Sequence, residues 1–469
     1  MKSERRQPML GRIRHVHMVG IGGIGMSSIA TVLLSRGYRV TGSDLCLSEL
    51  TDKLVADGAT VYEGHDRKQG EGACVVVYSS AVDVSENPET QAAAAARIPL
   101  ISRSEMLGEL MRMKYGVGVA GTHGKTTTTS MVGRVVAEGG FDPTIIVGGK
   151  VAELNTNAVS GDGDIIVIEA DEYDRAFLRL TPALAVITTI ESDHLDIYGN
   201  LKEVYRAFTT FAASVPFFGA AIVCLDDPGV QAIIGDIDRR VVTYGTARQA
   251  MVRAEGIVQQ GMAMQFDVVV FGSRQGSITL RALGLHNVRN ALAAVAVGVE
   301  LEIDFSRIKA GLERFAGVYR RFQLLGEAHD ILVIDDYAHH PTEITATLNA
   351  ANEGYPDRRI VAIFQPHLYS RTNDFKEEFA RAFFNADVVI VTEIYPAREK
   401  PIAGVTGTLI ADLATTRGHR DARYAKKKNI LPVLRDLGEP GDVVLFMGAG
   451  DIWRVARQYT EELFREAAA

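Results

Sequence analysis

Val117-Gly118-Val119-Ala120-Gly121-Thr122-His123-Gly124-Lys125-Thr126-Thr127 reads as a buried strand, a glycine-bearing loop and the first turn of a helix. Met131, Val132, Val135 and Val136 continue the helix on its apolar side. Strand, loop and helix in that order make a phosphate cradle. Backbone N–H groups face the phosphates, the lysine neutralises the β and γ charge, and the following hydroxyl reaches Mg²⁺. Gly121, Thr122, His123, Gly124, Lys125, Thr126 and Thr127 are therefore the expected ATP loop. The strict Walker pattern would place its first glycine where Val119 stands, so that pattern is missed although the Gly-Lys-Thr core is intact. A lysine buried at a helix start with no anion to meet would be costly.

Such a loop needs a metal and an acid. Asp164-Ile165-Ile166-Val167-Ile168-Glu169-Ala170 has the shape of an apolar strand presenting a carboxylate, Glu169, beside the phosphates. Asp171 and Glu172 follow it. After a further strand, Leu184 to Thr188, comes Glu191-Ser192-Asp193-His194-Leu195-Asp196. An imidazole among carboxylates can complete a divalent-metal shell, although Mg²⁺ prefers oxygen and a single histidine is more often structural.

A second glycine loop lies upstream. Gly20-Ile21-Gly22-Gly23-Ile24-Gly25 follows the strand His15 to Val19 and opens a helix carrying Met26, Ile29, Ala30, Leu33 and Leu34. The glycines let backbone approach a pyrophosphate at a helix N-terminus. Asp44 ends the next strand, where a ribose-binding acid belongs. Gly22, Gly23, Ile24, Gly25 and Asp44 thus suit a nucleotide or dinucleotide, and spacing alone suggests NAD. Ser79 and Ser80 end a later strand, Cys74 to Val77, and either meet a phosphate or close a plain turn.

The whole chain alternates short apolar runs with amphipathic stretches, the βαβ rhythm of parallel α/β sheets. At 469 residues it is too long for one core. Three α/β domains are expected: 1–113, 114–318 and 319–469. The last shows strand-like runs at Ile331–Ile334, Ile360–Phe364, Val388–Val391 and Val443–Phe446. The net charge of −8 argues against a general nucleic-acid binder, which needs a basic face. The three cysteines, Cys46, Cys74 and Cys224, are too scattered for a metal pair and fit a reducing cytosol. Met1 to Pro8 is charged with no apolar run behind it, and no stretch reaches the ~20 apolar residues of a membrane helix. A cytoplasmic protein without membrane insertion is expected, as monomer or homodimer.

Four further blocks decide between a dehydrogenase fused to an ATPase and a ligase with a nucleotide-linked substrate. The first three are Gly284-Leu285-His286-Asn287-Val288-Arg289-Asn290, Gly317-Val318-Tyr319-Arg320-Arg321-Phe322, and Asp335-Asp336-Tyr337-Ala338-His339-His340-Pro341-Thr342-Glu343. Gln365-Pro366-His367-Leu368-Tyr369-Ser370-Arg371-Thr372 follows. With both glycine loops and Glu169-Ala170-Asp171-Glu172, they resemble the Mur ligase family from about His15 to Ile452.

That resemblance implies an N-terminal Rossmann-like UDP-binding domain, a central P-loop-type ATPase and a C-terminal Rossmann-like domain. It implies ATP-dependent joining of L-alanine to the carboxylate of UDP-N-acetylmuramate through an acyl phosphate, in cytoplasmic peptidoglycan precursor synthesis. Lys125, Glu169, His194 and Arg321 are the implied catalytic residues. Thr126, Glu169 and His194 would hold Mg²⁺, two ions in all. Asn287 and Asn290 would flank adenine, and Arg321 and Asp336 would contact ATP. Tyr337, His339, His367 and Arg371 would form the amino-acid pocket. The first glycine loop then takes the UDP pyrophosphate rather than NAD, with Ser79 and Ser80 beside it. Lys202 and Arg206 stand near where some relatives carry a carbamylated lysine, and none is assigned here. The nearest rival is the recycling ligase that joins a whole tripeptide to the same sugar acid. More distant ones are an NAD-dependent oxidoreductase with an ATPase domain and a scaffold that uses ATP as a switch.

Overall fold

In the computed structural model, residues 10–151, 156–193, 195–397 and 399–467 are described. The chain divides into two compact units. The first comprises the chain up to Gly256 with Phe266–Ile278 and Arg289–Phe315. The second comprises Ile257–Gln265, Thr279–Val288 and Ala316–Ala469. There are three sheets, and the fold is α/β with three domains, two of which share the first unit. Among the described residues no helix is long and apolar enough to cross a membrane.

The N-terminal sheet has five parallel strands in the order Thr60–Glu63, Arg39–Asp44, His15–Val19, Val75–Tyr78, Leu100–Ser102. The chain starts at the centre and builds outward in both directions. The order reverses between His15–Val19 and Val75–Tyr78, and ligands bind at the carboxyl ends of such neighbours. Gly20 and Ser79 stand there, and the Ser79 N–H donates to the Val19 carbonyl at 3.0 Å. Side chains alternate along the first strand. Val16 and Met18 enter the main apolar core, whereas His15 and His17 share the other face.

In the central sheet the strand Tyr115–Ala120 lies between Ile165–Glu169 and Leu184–Ile187, parallel to both. A strand flanked on both sides and covered on both faces should be apolar throughout, and Val117 to Ala120 are all buried. The loop after it opens at the sheet's carboxyl edge into the helix Lys125–Glu138, with Met131, Val132, Val135 and Val136 fully buried.

The second unit has six strands in the order Gln323–Ala328, Ile331–Asp336, Asp442–Met447, Arg359–Phe364, Val388–Val391, Ala422–Tyr424. Only the first pair is antiparallel. Leu332 and Ile334 pack with Ile344, Leu348, Phe379 and Ile410 on one face. Ile331 and Val333 pack with Ile430, Leu434, Ile452 and Ala456 on the other. The apolar runs read from sequence are thus two-sided strands; Val388–Val391 is as expected, and the other three are one or two residues longer because Asp335 and Asp336, Arg359, and Asp442 with Met447 join the ladder.

Within the first unit the helix Ile24–Ser35 is tied to the central sheet by Asn157. This buried amide donates to the Ile24 carbonyl at 2.7 Å and lies 3.0 Å from the Ser27 hydroxyl. Arg36 and Lys114 both donate to the Gly161 carbonyl close by. Burial pushes the Lys114 amine down to about 8. Truncating Asn157 removes two buried hydrogen bonds. Asn157→Ala is expected to lower unfolding free energy by about 1–3 kcal/mol, measured as a shift of the urea midpoint at unchanged slope.

Candidate active site

The Gly121–Thr127 loop closes against the neighbouring strand end. The Thr122 N–H donates to the Thr189 carbonyl at 2.9 Å, and the His123 N–H to the Thr189 hydroxyl at 2.9 Å. The Thr188 hydroxyl donates to the His123 carbonyl at 2.5 Å. Gly121 has φ +142° and any side chain there would strike Thr188, so the position admits glycine alone. Gly124 has φ +79°, and a Cβ on it would come 2.7 Å from the Asn290 amide oxygen. The loop is thus braced by residues 188–189 on one side and Asn290 on the other.

Lys125 turns its ammonium back over this loop. Its Nζ donates to the Gly121 carbonyl at 2.7 Å, the Thr122 carbonyl at 3.2 Å and the Glu172 carboxylate at 2.7–2.8 Å. Burial works to deprotonate it, but the carboxylates of Glu172, Asp171 and Glu169 outweigh burial and raise its pKa, so it stays charged. The Thr126 hydroxyl donates to Glu169 at 3.0 Å, and the Gly148 N–H donates to the other Glu169 oxygen at 2.7 Å. Burial pushes the Glu169 carboxyl up, against the pull of Gly148, Lys125 and Thr126. A half-buried acid with a hydroxyl at its side is a donor set suited to a hard divalent cation, whose charge would favour the ionised carboxylate. His123 Nε2 lies 3.5 Å from the Glu191 carboxylate. His194 lies outside the described residues.

The first glycine loop borders a separate cavity of about 640 Å³. Gly22, Gly23, Asp44 and Ser79 line it, with His65 and Asn87. The Gly22 N–H donates to Asp44 at 2.8 Å, which fixes the carboxylate beside the loop. Ile24, Gly25 and Ser80 are not among the lining residues. Gly25 instead makes room for the Arg103 side chain, which a Cβ there would strike.

In the second unit Asp336 is buried and accepts the N–H groups of Phe322 at 2.6 Å and Ala338 at 2.7 Å. It fixes the turn that carries Arg320 and Arg321, whose guanidinium carbons stand 4.9 and 5.2 Å from the Tyr337 ring centre. Arg321 also lies 3.5 Å from Glu343. His339 packs on Tyr337 at 5.3 Å and on His367 at 5.9 Å, and His367 stacks on Tyr395 at 5.8 Å. Three of the four residues expected in the amino-acid pocket are therefore together. Arg371 is buried on the helix Tyr369–Asp374. Asn287, also buried, donates to the Leu283 carbonyl at 2.7 Å.

Sequence reading gave no role to Glu172, Thr189 or Glu343. Glu172 stood in the quoted acidic block, and its tie to Lys125 spans 47 residues that no local spacing signals. Thr189 carried no motif at all.

Comparison with known proteins covers almost the whole chain. Residues 15–115 match the model of the Mur ligase family catalytic domain, 119–298 the Mur ligase middle domain, and 320–450 the Mur ligase glutamate ligase domain. The UDP-N-acetylmuramate–L-alanine ligase of Salinibacter ruber is 65% identical over 464 residues, covering 99% of this chain and 98% of its own. That of Geotalea uraniireducens is 49% identical, covering 97% and 99%. The crystal structure of the UDP-N-acetylmuramate–alanine ligase of Thermotoga maritima superposes with a TM-score of 0.80 at 31% identity, covering 97% of this chain and all of that one. With three family domains matched in order and relatives alike from end to end, this chain belongs to the Mur ligase family.

Proposed function

We propose that the protein joins L-alanine to the carboxylate of UDP-N-acetylmuramate at the expense of ATP, in cytoplasmic peptidoglycan precursor synthesis. Its end-to-end likeness to L-alanine ligases supports the substrates. The observation that carries the chemistry is the Lys125–Thr126–Glu169 cradle in the same compact unit as a separate nucleotide-sized cavity. The division of labour follows residues 1–113 for the UDP substrate, 114–318 for ATP and 319–469 for the amino acid.

The sugar-acid carboxylate attacks the γ-phosphate, and ADP leaves. The amine of L-alanine then attacks the acyl phosphate carbon, and the tetrahedral adduct collapses to amide and phosphate. Phosphoryl transfer demands positioning and charge stabilisation more than covalent help. Lys125 exchanges Glu172 and the loop carbonyls for phosphate oxygens. Backbone N–H groups at the head of the helix Lys125–Glu138 face the same charge. Asn290 holds the loop, and with Asn287 flanks the adenine. Arg321 supplies a further cation, and Asp336 fixes the turn that carries it. Tyr337, His339, His367 and Arg371 shape the amino-acid pocket. Thr126 and Glu169 would hold Mg²⁺, and Glu169 with His194 a second ion. When bound, the metal would offset phosphate charge.

Phosphate release in the presence of UDP-N-acetylmuramate, ATP and Mg²⁺ is expected only when L-alanine is added. Release without it, or only with the tripeptide, would overturn this assignment. Lys125→Ala is expected to lower kcat/KM by about 10²–10³-fold or more. Calorimetry should find its affinity for the UDP substrate unchanged. Loss of that affinity in a variant with a native circular dichroism spectrum would refute the separation of the two loops.

A further inference from the structure

Behind the first glycine loop lies a buried polar chain that the chemistry above does not use. His15, His17, Thr41 and Ser43 project from one face of two paired strands, and the fully buried Glu89 of the helix Pro88–Ala95 meets them. His15 Nδ1 is 3.0 Å from the Gly72 carbonyl, and its Nε2 is 2.8 Å from the Thr41 hydroxyl. The same hydroxyl is 2.8 Å from His17 Nδ1, and His17 Nε2 is 2.5 Å from Glu89 Oε2. Glu89 Oε1 accepts from Ser43 Oγ at 2.7 Å and faces His65 Nδ1 at 2.7 Å. Ser43 Oγ is also 3.0 Å from His65 Nδ1.

The protons in this chain can be counted. A carbonyl only accepts, so His15 Nδ1 carries a proton. Burial lowers the pKa of His15, which keeps it neutral, so its Nε2 accepts the single Thr41 proton. Thr41 must then accept from His17 Nδ1–H. Burial alone would raise the Glu89 pKa, but bonds from His17, Ser43 and His65 outweigh it and hold the carboxyl low, so Glu89 is an acceptor at both oxygens. His17 therefore donates from both nitrogens, and the buried Glu89 carboxylate does not stand without a partner. His65 points Nδ1 at two acceptors, Glu89 Oε1 and a Ser43 hydroxyl whose own proton goes to Glu89, so the neutral ring carries its proton there and Nε2 is the lone pair. His65 lines the cavity, its side chain 15% exposed, and among the described residues nothing bonds its Nε2.

We propose that His65 is a specificity residue of the UDP pocket, whose Nε2 accepts a hydrogen bond from an N–H or O–H donor of the uridine. Glu89 is the positioning residue that fixes its tautomer, backed by His17. The proposal rests on the first cavity being the UDP site. The donor is either the uracil ring N–H or the ribose 2′-hydroxyl. An acceptor aimed at a nucleobase discriminates sharply, because a base presenting its own lone pair there leaves both groups unpaired.

Calorimetry with UDP, CDP and 2′-deoxy-UDP tests this on the wild type and His65→Ala. The variant is expected to bind UDP roughly tenfold or more weakly. Either CDP or 2′-deoxy-UDP, whichever lacks the donor, should be nearly unaffected, which identifies it. Equal loss for all three, or no loss for any, would overturn the proposal. Wild type that fails to bind UDP would take down the reading of the cavity with it. Glu89→Gln should raise KM for the UDP substrate with kcat unchanged, since a carboxamide can donate and no longer enforces one tautomer. Should that variant not fold, ¹⁵N spectra of the ligand-free wild type still decide. An unprotonated Nε2 on His65 is expected, and a protonated one refutes the assignment.

Discussion

An ammonium held away from water at the head of a helix is the constraint around which the catalytic half of this protein is arranged. Lys125 must be surrounded by oxygen, and the loop supplies two carbonyls and Glu172 a carboxylate. Each demand propagates. The carbonyls face the lysine because Gly121 and Gly124 adopt backbone angles other residues avoid. Those glycines are free of side chains because Thr188 and Asn290 crowd in. Thr188 and Thr189 are in place because their strand runs parallel to the loop's own. The backbone of the loop is thereby fixed by its neighbours, and the Lys125 side chain is the part that has partners to exchange.

The N-terminal domain solves a different problem. Its sheet buries histidines where a parallel sheet would ordinarily carry valine or isoleucine. One side of the strand His15–Val19 is ordinary core, and the other is a continuous hydrogen-bonded chain. A partly satisfied network of this kind would cost more than an apolar face. Its completeness is what makes the polar choice tolerable beside the switch point of the sheet.

What the sequence revealed followed from short-range chemistry. Glycine spacing, the Gly-Lys-Thr core and the apolar strands are local, and all three sheets were foreseeable from them. Glu169 was legible because it ends an apolar run, and Asp44 because it ends a strand. Asp336 was legible as a residue but not in its task here, for nothing in Asp335-Asp336-Tyr337 says that the carboxylate will cap the Phe322 and Ala338 amides. Glu172 and Glu89 were hidden for a related reason. Their partners are set by how strands and helices stack, and a carboxylate in a helical or acidic stretch looks like solvent-facing charge until that stacking is known. The identity of the first loop's ligand was also beyond spacing, since the same glycines serve any pyrophosphate.

The ion pair between His17 and Glu89 spans 72 residues of chain. It requires the helix Pro88–Ala95 to be docked on a sheet whose middle strand comes first in the sequence. Until then the ring of His65 has no carboxylate to orient it. Assembly and site are coupled in this way: one helix start supplies both the carboxylate that orients His65 and, through Asn87 and Pro88, part of the cavity lining.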